Sequence, residues 1–300
     1  MRAVLFHETG GPEVLSVEET DRPSPGEGEV LIRVRAASVN PVDWKVRSGG
    51  YGDVPLPGIP GRDASGTVEE SNDDRFSPGD DVFGNIASTY AEYVTAPADA
   101  IAKKPEGLSF EQAATIPVAG LTAWQALFDK GGLESGQTAL IAGAAGGVGH
   151  FAVQFARVAG ARAVGTGSSR NRDFVLGLGA TEFIDYTSQD VSEALSDVDV
   201  ALDTVGGDVT DTLVPTLREG AAIVTIASAP PEDAARERGA RAIMHVTSPN
   251  PEELTRIAEL VVSGEVKIEI SEELPLDDAR RAHEQSESGH VRGKIVLTVD

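Results

Sequence analysis

The chain has 300 residues, long enough for two domains with separate cores. Its net charge of −23 argues against nucleic acid as a partner, because phosphate binding needs a basic surface, and no run of about 18 apolar residues offers a membrane span. The absence of cysteine excludes disulfides, thiolate-bound zinc and a cysteine nucleophile.

Met1-Arg2-Ala3-Val4-Leu5-Phe6 lacks the long apolar core of a signal peptide and reads as a first strand, so a cytoplasmic location is expected. Short strands are expected over 30–36, 65–69, 82–83 and 90–94, separated by turns such as Pro25-Gly26-Glu27-Gly28 and Pro78-Gly79-Asp80-Asp81. This β-rich spacing suggests an antiparallel barrel or sandwich. The pattern changes near Pro117, where a helix is expected over 119–128. Strands at 138–142, 161–166, 182–184, 198–204, 221–226 and 241–245 follow, together with helices at 147–159, 171–178, 210–218 and 251–263. Their alternation implies a parallel, doubly wound sheet. A strand at 266–270, a helix at 276–286 and a strand at 294–299 break it again and are expected to return to the first domain. The domains so drawn are 1–118 with 266–300, and 119–265.

The acidic surface has two readings. Few lysines, many carboxylates and no cysteine suit a halophilic host, where the Debye length falls to about 3 Å and self-repulsion is screened. An ordinary acidic protein from a GC-rich genome is the other.

The strongest motif is Ala139-Leu140-Ile141-Ala142-Gly143-Ala144-Ala145-Gly146-Gly147-Val148-Gly149, an apolar strand running into a glycine-rich turn that opens an amphipathic helix. Gly146 lets backbone approach a pyrophosphate seated on the helix N–H groups, and Gly149 lets helix pack closely on strand. Ala144 stands where G-x-G-x-x-G has its first glycine. A structural turn of an unrelated α/β protein is the competing reading. At the end of the next strand, where an NAD enzyme places a carboxylate, stand Ser168-Ser169-Arg170-Asn171-Arg172. Hydroxyls and guanidinium groups suit the 2′-phosphate of NADPH; a serine capping the next helix is compatible with that or sufficient without it. The five histidines read as structural, with His150 facing either pyrophosphate or solvent.

In this order the motifs resemble those of the zinc-independent medium-chain dehydrogenase/reductases, in their NADPH:quinone oxidoreductase and alkenal reductase branch. The resemblance runs through Ala36-Ala37-Ser38-Val39-Asn40-Pro41-Val42-Asp43, Gly61-Arg62-Asp63-Ala64-Ser65-Gly66, Tyr90-Ala91-Glu92-Tyr93, Gly120-Leu121-Thr122-Ala123-Trp124, the glycine turn, Leu178-Gly179-Ala180 with Ile184-Asp185-Tyr186, and Gly293-Lys294-Ile295-Val296-Leu297. It implies an α/β fold in which a Rossmann doubly wound parallel sheet is inserted into a β-rich GroES-like substrate domain. It also implies a homodimer through a sheet edge supplied by 221–226 or 241–246. Zinc-dependent relatives have a cysteine ligand where Asn40 stands and a histidine ligand at Arg62, so the resemblance implies no metal.

By the same resemblance, Asn40 and Thr122 border the nicotinamide and its ribose. Ala144, Gly146, Gly147, Val148 and Gly149 form the pyrophosphate turn. Ser168 with Arg170 or Arg172 takes the 2′-phosphate, and Tyr186 lies along the adenosine. Val205 and Ala227 stand at strand ends, where open α/β sheets bind cofactors. Hydride passes from NADPH to a quinone or enone, and the oxyanion that develops needs donors, each commonly worth about 3–4 kcal/mol. Asn40 and Lys45 are the candidate donors. Lys45 replaces a tyrosine found in many quinone reductases, and an exposed loop lysine is its plain reading. Asp43 is expected to be structural, capping a turn or pairing with a cation. A 2-alkenal reductase and a non-catalytic NADPH-binding protein of the same fold stand as alternatives.

Overall fold

A computed structural model of the chain describes residues 1–52 and 54–299. Contacts divide them into two compact units. The first holds residues 1–121, 249–263 and 268–299, and the second 122–248 and 264–267.

The first unit starts with the hairpin β1 (Arg2–Leu5) and β2 (Ser16–Glu19), then runs through β3 (Glu29–Val39), helix α1 (Pro41–Arg47), β4 (Asp63–Ser71), β5 (Asp81–Asn85), β6 (Tyr93–Pro97), β7 (Ile101–Lys103) and the short helix α2 (Phe110–Thr115). Helix α3 (Pro117–Trp124) follows, continued by a π-helical turn over Gln125–Lys130 where the sequence pattern predicts an unbroken helix. Ser109 caps α2 through the Gln112 backbone N–H, with the Gln112 side chain answering from the third position.

The second unit shows the expected alternation: β8 (Thr138–Ala142), α4 (Gly149–Val158), β9 (Arg162–Gly167), α5 (Arg172–Gly177), β10 (Glu182–Asp185), α6 (Val191–Ala194), β11 (Val198–Asp203), α7 (Asp208–Leu213), β12 (Leu217–Thr225), α8 (Glu232–Glu237) and β13 (Arg241–Met244). All pairings in this six-stranded sheet are parallel, in the order β10-β9-β8-β11-β12-β13. In β8, Ala139, Leu140, Ile141 and Ala142 are wholly buried, as a strand covered on both faces requires. Because β12 is paired on both sides, 221–226 is not a sheet edge; β13 is.

The chain then adds α9 (Pro251–Val262), β14 (Ile270–Pro275), α10 (Ala279–Glu287) and β15 (Lys294–Thr298) to the first unit. Asn250 caps α9 by accepting from the Glu252 and Glu253 backbone N–H groups, both at 3.1 Å. This helix packs beside β7, so it groups with the β-rich unit although its sequence continues the alternation. The strand expected at 266–270 begins only at Ile270, because the backbone of Lys267 is bonded to the Gln154 side chain. The larger sheet runs β14-β15-β3-β4-β5-β7 with β6 also on β3, and its core includes Val30, Ile32, Val82, Ile101, Ile295 and Leu297.

Candidate active site

Strand β8 delivers the chain to Gly143, whose φ of +70° favours glycine. The Ala144 N–H donates to the Thr166 carbonyl at 3.1 Å and ties the turn to β9. A Cβ on Gly149 would fall 2.2 Å from the Gly143 carbonyl oxygen and 2.7 Å from the Ala144 Cα, so only glycine lets α4 start so close to the strand. A Cβ on Gly146 would meet just the Gly143 oxygen, at 3.3 Å, and otherwise project into open space. A pyrophosphate seated on a helix N-terminus needs an opening of this kind. His150 is wholly buried, its Nδ1 donating to the Gly146 carbonyl at 3.0 Å and its ring centroid 4.3 Å from that of Phe151. It does not face solvent.

From β8 the chain builds outward to β10, then returns to the other side of β8 with β11. The switch in strand order therefore falls between β8 and β11, where open α/β sheets bind ligands at their carboxyl ends. Ser168 follows β9, Tyr186 follows β10, Val205 follows β11 and Ala227 follows β12, so all of them share that end of the sheet with the glycine turn. Tyr186 and Val205 are 59% and 51% exposed. Buried Asp203 shapes the turn presenting Val205 by accepting from the Val205 and Gly206 N–H groups, both at 2.9 Å. Ser168 makes no side-chain capping bond. Arg170 and Arg172 are exposed, and the Arg172 guanidinium stands 5.8 Å from the Phe183 ring centroid. Thr122 is nearly buried and its hydroxyl pairs with that of Thr247.

The first unit contains a buried polar network that the sequence shows only as scattered landmarks. The Asp63 carboxylate accepts from the Ser38 hydroxyl at 2.6 Å, the Asn40 amide at 2.7 Å and the Val118 N–H at 2.7 Å. The Lys294 ammonium donates to the Asn40 Oδ1 at 2.5 Å and the Val39 carbonyl at 3.1 Å, and lies 3.7 Å from Asp63. Burial raises the Asp63 carboxyl and lowers the Lys294 ammonium from their ordinary values. Asp43 closes the capping box of α1, accepting from the Asn40 N–H at 2.8 Å and from the Tyr90 hydroxyl at 3.0 Å. Its Oδ1 is buried with no partner among the described residues, and burial pushes the carboxyl up to about 7.

This geometry redirects one expectation. The Asn40 amide hydrogens are directed to Asp63 and the Ser38 carbonyl, so the donor expected to meet a substrate oxyanion is committed within the network. Lys45 lies in the last turn of α1, half-buried, with its ammonium 5.7 Å from the Trp44 ring centroid. Arg47, two residues on, is 1% exposed, holding Gly10, His283 and Glu287. Among the described residues no group of three histidines or carboxylates could hold a metal ion, and Arg62 is exposed. Asp63 and Lys294, each the first residue of a strand, carry the sequence signal for this network.

Residues 26–106 match the family model for an alcohol dehydrogenase GroES-like domain, and 178–297 match one described as a zinc-binding dehydrogenase. The chain is 34% identical to the quinone oxidoreductase of Mus musculus, over 99% of this chain and 97% of that protein. It is 33% identical to the 2-methylene-furan-3-one reductase of Solanum lycopersicum, over 99% of this chain and 79% of that protein. The crystal structure of Escherichia coli quinone oxidoreductase complexed with NADPH superposes with a TM-score of 0.90 at 30% identity, covering 100% of both chains.

Proposed function

The chain belongs to the medium-chain dehydrogenase/reductase family, in its quinone oxidoreductase branch, and from that premise we propose a zinc-free, NADPH-dependent transfer of hydride to quinones or other electron-poor conjugated carbonyls. The observation that carries this reading is the open cradle at Gly146 at the switch point of the sheet, with Ser168, Arg170 and Arg172 and no carboxylate after the next strand. NADPH supplies the hydride. The α4 N–H groups, with Ala144, Gly146, Gly147, Val148 and Gly149, hold the pyrophosphate. Ser168 with Arg170 or Arg172 binds the 2′-phosphate. Tyr186, Val205 and Ala227 line the adenosine and ribose side, and Thr122 borders the nicotinamide.

Zinc does not fit the residues at the corresponding positions. There is no thiolate, Arg62 carries a permanent cation, and the Asn40 amide is engaged by Asp63 and Lys294. Lys45 is the remaining donor for the developing oxyanion, directly or through one water. Similarity to the tomato enone reductase favours conjugated enones as a second substrate class beside quinones. A cytoplasmic location and a homodimer built on the β13 edge complete the reading, the latter supported by Met244 at 47% exposure.

The test follows NADPH absorbance with 9,10-phenanthrenequinone and with an enal, with and without chelator. Turnover that survives chelation is expected, and Lys45→Ala should slow the enal reaction at least tenfold, about 1.4 kcal/mol, with NADPH affinity intact. Loss of activity on chelation would overturn the zinc-free reading. NADPH binding without turnover of either substrate would leave a binding protein.

A further inference from the structure

Two glutamines of the second unit make the same two-point bond to a stretch of backbone outside regular structure. Gln154, in α4, donates from Nε2 to the Lys267 carbonyl at 2.9 Å and accepts at Oε1 from the Lys267 N–H at 2.7 Å. Gln125, at the start of the π-helical turn, donates to the Ser248 carbonyl at 2.9 Å and accepts from the Ser248 N–H at 3.1 Å. Both side chains are nearly buried, at 2% and 3% exposure. In each case the amide replaces the partner that a neighbouring strand would have given to the peptide group.

The two pairs differ in what lies beside them. One helical turn before Gln125 is Thr122, whose hydroxyl pairs with Thr247, the neighbour of Ser248. The last ladder-type bond of this segment is His245 N–H to the Thr225 carbonyl, and Pro249 has no N–H to offer. Residues 246–249 therefore run past the end of β13 without strand partners, Val246 being 79% exposed. Gln125 and Thr122, three positions apart on one helix face, fix that stretch at two successive residues. Lys267, by contrast, is held against the middle of α4.

We propose that Gln125 is a positioning residue for the nicotinamide end of the cofactor site, holding Thr247 and Ser248 beside Thr122. This rests on the assignment of Thr122 to the nicotinamide ribose. A second wall of that subsite is then a loop whose place depends on one side-chain amide, and it becomes mobile when the amide is removed. Gln154, whose Nε2 also donates to the His150 carbonyl at 2.9 Å, makes a like two-point pair that serves stability alone.

The experiment measures binding of NADPH and of adenosine 2′,5′-bisphosphate, which lacks the nicotinamide riboside, by calorimetry. Gln125→Met keeps the volume and removes both bonds. NADPH affinity should fall about tenfold while affinity for the bisphosphate stays unchanged. Gln154→Met should lower the Tm and leave both affinities as in the wild type. Equal weakening of both ligands by Gln125→Met, no weakening of either, or the same selective loss from Gln154→Met would overturn the proposal. Wild-type protein that binds the bisphosphate no more weakly than NADPH would remove the nicotinamide subsite, and the inference with it. Wild-type protein that binds neither ligand would instead reject the cofactor reading itself.

Discussion

Asp43 sits where a carboxylate is hardest to keep ionised, out of water and with Asp63 nearby, and among the described residues the Asn40 N–H and the Tyr90 hydroxyl donate to it. Lys294 lowers its value, but less than burial raises it. The folded carboxyl, at about 7, stands above the ordinary 3.8, so the folded protein keeps a proton that the unfolded chain releases. That contribution to stability is complete below about pH 4 and is lost as pH rises through about 7, at about 1.4 kcal/mol per pH unit. Asp43→Asn preserves an acceptor for both donors and cannot ionise. Thermal melts across that window should show the wild type losing Tm relative to this variant as pH rises; parallel curves would reject the raised value. The proposed cofactor choice also rests on single residues. Removing one charge-assisted contact to a 2′-phosphate costs about 1.5–3 kcal/mol. Arg170→Ala or Arg172→Ala should therefore reduce the ratio of NADPH to NADH affinity roughly ten- to a hundredfold. An unchanged ratio in both variants would remove these arginines from the phosphate site. Their place after the second strand of the alternation was legible in sequence, because the position follows from strand and turn lengths. The commitment of the Asn40 amide was not, because Asp63 and Lys294 lie 23 and 254 residues away.

At the scale of elements, the junction of β8 and α4 separates packing from binding. Gly149 is hemmed in by backbone, which cannot move aside as a side-chain tip can, whereas Gly146 opens to the space a pyrophosphate would fill. Gly149→Ala should thus lower Tm by several degrees, the effect of about 1–3 kcal/mol of strain. Gly146→Ala should leave Tm nearly unchanged and weaken NADPH binding at least tenfold. Melting curves and titrations on the two variants check this, and the reverse assignment would move the cradle elsewhere. Element types were readable wherever a period was long and apolar, as in β8 and α9. Boundaries shifted where a side chain took over a backbone partner, as Gln154 does at Lys267, or where the helix widened at Gln125.

For the whole molecule, 48 acidic residues face 25 lysines and arginines, and the excess repels itself in dilute buffer. If the composition reflects a salt-rich cytoplasm, raising KCl from about 0.1 to 2 M should raise the Tm, since the Debye length falls from about 10 Å to below 3 Å. A Tm that stays level or falls would leave only an ordinary acidic protein. Light scattering in that salt should give twice the single-chain 31.3 kDa; a single-chain mass would exclude the β13 dimer. The sequence by itself determined the β-rich and alternating segments, the glycine turn and the lack of thiolate ligands. These follow from local periodicity, from the φ values that only glycine adopts easily, and from composition. Only the tertiary structure decided that β12 is interior, that α9 joins the β-rich unit, that Asn40, Asp63 and Lys294 share one buried network, and that Gln125 holds Ser248. Each of these depends on groups far apart in the chain meeting out of water, where an unpaired polar group is costly and the partner is selected by three-dimensional packing rather than by spacing.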